Sequence, residues 1–383
     1  MSHETITDAG HLSDERVIFS ESSLADRDIS QRFTEPEKSE LSVCIQQSWK
    51  DLHRDRGYQQ AEIISLTSDN FSWGKYPDGE AYALVNQHRR LQTDNEHNTH
   101  LYAAVNLENG DDVLATQTIL WTLNHPHTIL GTAYFPYERG DRTEVHEDGS
   151  QELLLLNTLI MNIQHAGVRG LIHINPHSPA FPWFCLNAGI APLSLSAIPG
   201  LIKEAENQGF LDGKNIITAN SDDGAKSSRL FLTNYICSED SINGLKGKEN
   251  GKTTVTYSEK DLQKVENKTV VFTEDIISTG GTMISSILQL LNRGHAQRII
   301  ILATYPIFAD NALERLGYDP RIQIITTDGK VPIADITKSN NITVVPIKDK
   351  LPKVLEFDKQ GINFWSQIGK DKLKELGLCI FPW

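Results

Sequence analysis

Val270-Val271-Phe272-Thr273-Glu274-Asp275-Ile276-Ile277-Ser278-Thr279-Gly280-Gly281-Thr282-Met283 decides how this chain is read. An apolar run ends in two acidic residues, and a short Thr/Gly/Gly/Thr loop follows. Met283, Ile284, Ile287, Leu288 and Leu291 then recur at helical spacing up to Gly294. A strand over 269–273 would deliver Glu274 and Asp275 to its carboxyl end, where carboxylates accept hydrogen bonds from sugar hydroxyls or hold a hydrated Mg²⁺. The glycine pair lets backbone amides converge on a phosphate. Thr279 and Thr282 add hydroxyl donors, and the helix N-terminus adds a favourable dipole. A plain strand-to-helix turn would need only the glycines. Acid pair, hydroxyls and glycines together point to a phosphorylated sugar. No Gly-Lys-Ser/Thr follows, so this is not a Walker A loop.

The same strand–loop–helix rhythm runs outward from this point, beginning at about Ala61. Strands are predicted over 99–105, 128–135, 170–174, 215–219 and 298–303. Helices are predicted over 112–123, 152–166 with Gly167 as the C-terminal glycine, 197–207 and 226–235. Such alternation predicts an α/β chain with mainly parallel sheets flanked by helices, and ligands beyond the carboxyl ends of the strands. Ser238–Lys252 interrupts the rhythm: it is polar and glycine-containing, which predicts a mobile or functional loop.

At 383 residues two domains are expected. The net charge of −14 argues against nucleic acid as a partner. Cys44, Cys185, Cys237 and Cys379 form no CxxC pair, which suits neither zinc nor a disulfide framework and fits a reducing cytoplasm. No stretch approaches the roughly 20 apolar residues of a membrane span. Residues 1–60 are expected to be a flexible or peripheral extension, and the polar, acidic start lacks the apolar core of a signal peptide. The end of the chain, from Lys348, is expected to pack Trp365 and Phe381-Pro382-Trp383 on the core or a partner.

Four further segments, in order along the chain, carry a resemblance. Tyr76-Pro77-Asp78-Gly79-Glu80 is similar to a Phe-x-Asp-Gly-Glu segment. Tyr134-Phe135-Pro136-Tyr137-Glu138-Arg139-Gly140-Asp141-Arg142 is similar to Tyr-Phe-Pro-Tyr-Ala-Arg-Gln-Asp-Arg. Ile174-Asn175-Pro176-His177-Ser178 resembles an Asp-Leu-His segment, with Asn175 in place of the first Asp. Asn220-Ser221-Asp222-Asp223-Gly224-Ala225-Lys226 takes the place of Ser-Pro-Asp-x-Gly-Gly. With the loop at 273–282, these segments resemble the phosphoribosyl-pyrophosphate (ribose-phosphate) synthetases, over roughly Phe71 to Pro346. Thr304 to Leu316 adds a segment of mainly structural resemblance.

The resemblance implies two phosphoribosyltransferase-like α/β domains: 61–196 on the ATP side and 197–347 binding the ribose phosphate, with 348–383 as a tail. It implies transfer of the diphosphoryl group of Mg–ATP to the anomeric hydroxyl of a ribose 5-phosphate compound, and a homo-oligomer. Tyr76, Asp78, Glu80, Arg139, Asp141 and His177 would bind ATP. Asp222, Glu274, Asp275, Ser278, Thr279, Gly280, Gly281 and Thr282 would bind the ribose phosphate. His177 and Asp222 would serve the Mg²⁺. Lys246 and Lys248 would take the roles of a catalytic Lys and Arg in the mobile loop, beside Arg139, with Lys252 a further candidate. A larger acceptor such as ADP-ribose, in nucleotide or NAD metabolism, stays open. So do a phosphoribosyltransferase and a catalytically silent regulatory homologue.

Overall fold

The computed structural model describes residues 35–54, 62–65, 71–78, 80–85, 100–143, 145–146, 148–211, 215–220, 236, 240–249, 252–330, 332, 335–336 and 339–382. The first half runs α1 (Glu35–Arg54), β1 (Glu62–Ser65), β2 (Phe71–Lys75), β3 (Ala81–Val85), β4 (Leu101–Val105), α2 (Gly110–Leu123), β5 (Thr128–Thr132) and α3 (Leu155–His165). It continues with β6 (Val168–Ile174), α4 (Ala180–Asn187), β7 (Ala191–Ser196), α5 (Ile198–Asn207), β8 (Ile216–Asn220) and β9 (Ser241–Asn243). Then come β10 (Leu245–Glu249), β11 (Lys252–Thr256), α6 (Glu259–Lys264), β12 (Thr269–Ile277), α7 (Gly281–Asn292) and β13 (Arg298–Pro306). The last part is α8 (Ala312–Gly317), β14 (Ile322–Thr327), β15 (Ile342–Val345), α9 (Leu351–Lys359), α10 (Gln367–Glu375) and β16 (Cys379–Ile380).

Among the described residues twelve of these strands form two six-stranded sheets, and β2–β3 and β10–β11 form two separate hairpins. The first has the order β1-β4-β5-β6-β7-β16 and the second β15-β14-β13-β12-β8-β9. All pairings in the second sheet are parallel, and in the first only β16 runs antiparallel, on β7. Parallel strands must be buried on both faces, which is why β13 reads as a near-continuous apolar run and β5 is buried along its whole length. Apolar clusters accordingly cover both faces of each sheet: Leu130 and Phe135, then Ile129 and Leu193, for the first, and Phe272 and Ile301, then Val271 and Ile300, for the second. The chain is an α/β protein of mainly parallel sheets flanked by helices.

Element ends follow local chemistry. A reciprocal capping box between Asn109 and Asp112 starts α2, and Asn124, in the left-handed region at φ 48°, closes it. The helix predicted over 152–166 begins instead at Leu155, because the backbone over 153–155 is used in a turn closed by Leu155 N–H to the Leu153 carbonyl. The helix predicted over 226–235 lies outside the described residues.

Three expectations need correction. The segment 1–60, expected to be peripheral, contains α1, and Leu41, Ile45 and Trp49 of α1 are buried in the cores of the first sheet. Trp49 Nε1 donates to Asp358 Oδ1 at 3.0 Å, Tyr102 Oη donates to Oδ2 at 3.1 Å, and His53 Nε2 lies 3.2 Å from Oδ1. One buried carboxylate on α9 therefore ties α1, β4 and the end of the chain together. Asp358→Ala strands these donors and is expected to cost roughly 2–5 kcal/mol of stability. Urea unfolding checks this, and an unchanged midpoint would show that the cluster contributes nothing net.

The second correction concerns Ser238–Lys252, expected to be a polar loop. Its described residues are strands: β9 adds to the edge of the second sheet, and β10 pairs antiparallel with β11, with Lys246 opposite Val255 and Lys248 opposite Thr253. The hydrogen bonds that sustain it come from α7. Ser285 Oγ accepts from Val255 N–H at 3.3 Å, Gln289 Oε1 accepts from Tyr257 N–H at 3.4 Å, and Gln289 Nε2 donates to the Val255 carbonyl. The third is the strand predicted over 269–273. It continues to Ile277, paired with β13 as far as Ile277 opposite Pro306, whereas its pairing with β8 stops at Phe272 opposite Ala219. Among the described residues the last five residues of β12 thus have a ladder on one side only, so they overhang the described part of β8.

Candidate functional site

The overhang carries the acidic pair. Side chains alternate along a strand, so Glu274 and Asp275 belong to opposite faces of β12. Burial, with the Glu274 charge beside it, pushes the Tyr257 hydroxyl well above its ordinary range against an opposing hydrogen bond with Ser286, so Glu274 lies toward the base of the hairpin β10–β11. Tyr257 Oη also donates to the Asn220 carbonyl at 3.0 Å, at the edge of the segment that contains Asp222. Asp222 itself lies outside the described residues.

Asp275 meets the first sheet. Its Oδ2 accepts from Nδ1 of His177, which stands in the loop after β6. Its Oδ1 accepts from the Ile276 N–H at 2.8 Å. The loops at the carboxyl ends of β5 and β6 converge on the same place. Glu138 Oε2 accepts from the His177 N–H at 3.0 Å, and Glu138 Oε1 lies 2.7 Å from His173 Nε2. Burial opposes charge on the His177 ring, but the hydrogen bond to Asp275 and the charges of Asp275, Glu138 and Asp141 prevail and lift it to about 9. At neutral pH the ring is therefore a cation. A protonated imidazole suits phosphate oxygens, and the metal role expected of His177 requires it to leave Asp275 and lose its proton.

The sign of this linkage is definite. His177 is raised above the unfolded value of about 6.5, so its pair with Asp275 contributes in full below that pH and fades as pH rises through about 9. The side chain is 32% exposed, so solvent tempers the effect. An NMR titration of the ring is expected to give a midpoint near the raised value, moving down in Asp275→Asn. An ordinary midpoint in the unaltered protein would mean that the contact is absent in solution.

Beyond Asp275, the chain turns through Ser278 and Thr279 into α7. Gly280 sits at its N-cap with φ 66°, a conformation that glycine adopts without strain, and no side chain caps the helix. The first amides of α7 have no intrahelical acceptor. A side chain at Gly281 would meet only Thr279 Oγ1, at 3.9 Å, so the backbone there is open to close approach by a ligand. The loop is held from behind: Ala309 N–H donates to the Ser278 carbonyl at 3.1 Å, and Ser286 Oγ donates to the Thr282 carbonyl at 3.1 Å. Ser278, Thr279, Gly280, Gly281 and Thr282 therefore line one uncapped helix start beside Asp275.

Of the other predicted residues, Arg139 is exposed, and its charge partly offsets the burial and acidic neighbours that push the Tyr134 hydroxyl up to about 12. Asp141 is buried and contributes to the field on His177. Both charges are thus felt beside the contact of His177 with Asp275. Lys246 is exposed on β10, and Lys248 is located by backbone register alone. Tyr76, Asp78 and Glu80 stand on the exposed turn of the hairpin β2–β3, where Tyr76 N–H donates to the Glu80 carbonyl at 2.8 Å. Among the described contacts none joins that turn to His177 or Asp275. Among the described residues no group of three or more His, Cys, Asp or Glu is arranged to hold a metal by itself.

Sequence reasoning passed over the contacts that join the two sheets. Tyr305 Oη at the end of β13 donates to the carbonyls of Ala133 and Ile174, and its ring meets Tyr134 edge-on at 5.0 Å. Lys330 Nζ lies 4.9 Å from the Tyr134 ring centroid, and Lys348 Nζ donates to Glu108 Oε1 at 2.8 Å. Nothing local in the sequence signals these pairs. Glu138 did leave a signal, since it stands where the resembling segment has Ala.

No family model matches the chain. It is 29% identical over 286 residues to a ribose-phosphate pyrophosphokinase of Sulfurisphaera tokodaii, covering 72% of this chain and 92% of that protein. It is 26% identical over 297 residues to a ribose-phosphate pyrophosphokinase of Aquifex aeolicus, covering 76% and 88%. The fold matches a crystal structure of phosphoribosylpyrophosphate synthetase from Mycobacterium smegmatis with a TM-score of 0.62, over 79% of this chain and 100% of that one, at 15% identity. Among the described residues no helix is long and apolar enough to cross a membrane. The likeness extends along most of both relatives and recurs in the arrangement of the sheets, so the chain is similar in sequence to ribose-phosphate pyrophosphokinases and has a phosphoribosyltransferase-type fold.

Proposed function

We propose that the protein transfers the diphosphoryl group of ATP to the anomeric hydroxyl of ribose 5-phosphate, releasing AMP. The observation that carries this reading is the contact of His177 with Asp275, which joins the carboxyl-end loops of two parallel sheets beside an uncapped helix start. ATP phosphates would lie on the His177 and Arg139 side, and the ribose phosphate on the β12 side. Amides and hydroxyls of Ser278 to Thr282 would hold the 5-phosphate. Glu274 and Asp275 would accept hydrogen bonds from the sugar hydroxyls. The anomeric oxygen then bonds to the β-phosphorus in line as the bond to the oxygen bridging to the α-phosphorus breaks and AMP leaves. The protein's task is alignment and offsetting of charge, with Arg139, Lys246 and Lys248 supplying cations.

The half-buried carboxylate of Asp275 would suit Mg²⁺, an ion bound by one or two carboxylates with water and substrate phosphates completing its shell. When bound it would neutralise phosphate charge. The reading implies a homo-oligomer, because Tyr76, Asp78 and Glu80 would reach a nucleotide from a second copy.

Incubation with Mg²⁺, ATP and either ribose 5-phosphate or ADP-ribose tests this, with products identified by mass. AMP that appears only with ribose 5-phosphate, together with its diphosphorylated product, is the expected result. Preference for ADP-ribose would assign the larger acceptor, and no AMP with either would leave a silent homologue.

A further inference from the structure

The loop that holds His177 is fixed by a buried carboxylate. Glu138 is 4% exposed and His173 is fully buried, so both are withdrawn from solvent. Glu138 Oε2 takes the His177 N–H at 3.0 Å while Oε1 faces His173 Nε2 at 2.7 Å. The His173 ring lies between Phe135, at 6.1 Å, and Phe181, at 4.8 Å. Two residues in left-handed conformations bring these loops together: Tyr137 at φ 64°, immediately before Glu138, and Asn175 at φ 48°, two before His177. A bulky residue in that region persists only where its surroundings over-determine it. Asn175, buried, uses its Oδ1 to accept the Ala197 N–H at 2.7 Å, so its side chain braces β7.

Stability does not explain this arrangement. Desolvating a carboxylate and an imidazole costs as much as their attraction returns, and apolar residues of like volume commonly serve as well or better. What an apolar residue cannot do is accept the His177 N–H. We propose that Glu138 is a positioning residue: it fixes the His177 backbone so that the ring projects across the cleft to Asp275, and it acts on the reaction through His177 alone. The proposal rests on the functional reading above for its kinetic test and on the structure alone for its exchange test.

Glu138→Ala is expected to lower kcat on the order of 10- to 100-fold, as displaced catalytic groups do, with KM for ribose 5-phosphate little changed. Glu138→Gln keeps an oxygen for the His177 N–H and is expected to restore most of the rate. In a His177→Ala background, Glu138→Ala should cost nothing further; a generally structural role would cost the same in both backgrounds. Glu138→Leu with His173→Leu removes the whole pair from an apolar site, and it is expected to fold stably yet remain slow. Amide exchange at His177, followed by mass spectrometry, should quicken in Glu138→Ala and stay slow in Glu138→Gln. Additive losses in the cycle, wild-type kcat in the Glu138→Leu/His173→Leu variant, or unchanged exchange would overturn the proposal. Absence of AMP formation in the unaltered protein would sink the functional reading alone, leaving the exchange experiment to decide the positioning.

Discussion

Asp275→Asn is expected to lower turnover on the order of 10²-fold or more while the protein stays folded. Asn keeps the shape of the side chain and an oxygen for the Ile276 N–H, which Asp275 holds at 2.8 Å. The residue is 28% exposed on the overhang of β12 and lies outside the apolar clusters, so little packing is lost. Two things do disappear. The carboxylate can no longer accept from a ribose hydroxyl with full charge or hold a hydrated Mg²⁺. His177 also loses the partner that does most to raise it, so its ring holds its proton less firmly and is a weaker partner for phosphate. Steady-state rates with ribose 5-phosphate, beside a thermal unfolding curve, check this. A normal rate in a folded variant removes Asp275 from the site, and a slow rate with a lowered melting point would make its role structural.

The residues that were legible in the sequence are those whose role is local. The apolar run before Glu274 and the stripe from Met283 to Leu291 specify β12 and α7 because strand and helix periods are written in adjacent residues. Gly280 and Thr282 mark the turn between them for the same reason. The end of β12 was read too early, since Glu274 and Asp275 break the apolar run, yet β13 supplies the ladder whatever the side chains are. The hairpin β10–β11 was read as a loop because Lys246, Gly247 and Lys248 carry no strand signal. Its order comes from Ser285 and Gln289, tens of residues away, and only the fold brings them near. Glu138 stands in a charged run beside the exposed Arg139. Its burial depends on Tyr137 turning left-handed and on Phe135 and Phe181 enclosing His173, which composition does not express. Asp358 and Trp49 are the extreme case, 309 residues apart in sequence and hydrogen-bonded in the fold.

Lys246→Ala is expected to reduce turnover by roughly 10²- to 10³-fold, the range seen when a group that stabilises developing charge is removed, with a much smaller effect on ATP affinity. Lys246 is exposed on β10 in the resting structure, so its charge is solvated and adds little to ground-state binding. Its value would come when the hairpin closes and water leaves, since charge at the bridging oxygens is then felt at low dielectric. Closure would move the hairpin as a unit. Its strands pair from Leu245 opposite Thr256 to Glu249 opposite Lys252, so their ladder can survive a swing about the base held by Ser285 and Gln289. That base lies on α7, the same helix whose start would hold the 5-phosphate, so acceptor binding and closure share one support. Measuring kcat beside the dissociation constant of ATP separates the two effects. A variant with weakened ATP binding and unchanged kcat would make Lys246 a ground-state contact. One unchanged in both would shift the catalytic charge to Lys248 or Lys252. Protease cleavage of the hairpin gives an independent reading, because closure predicts protection only when ATP, Mg²⁺ and acceptor are all present, and equal cleavage with and without them would count against a swing.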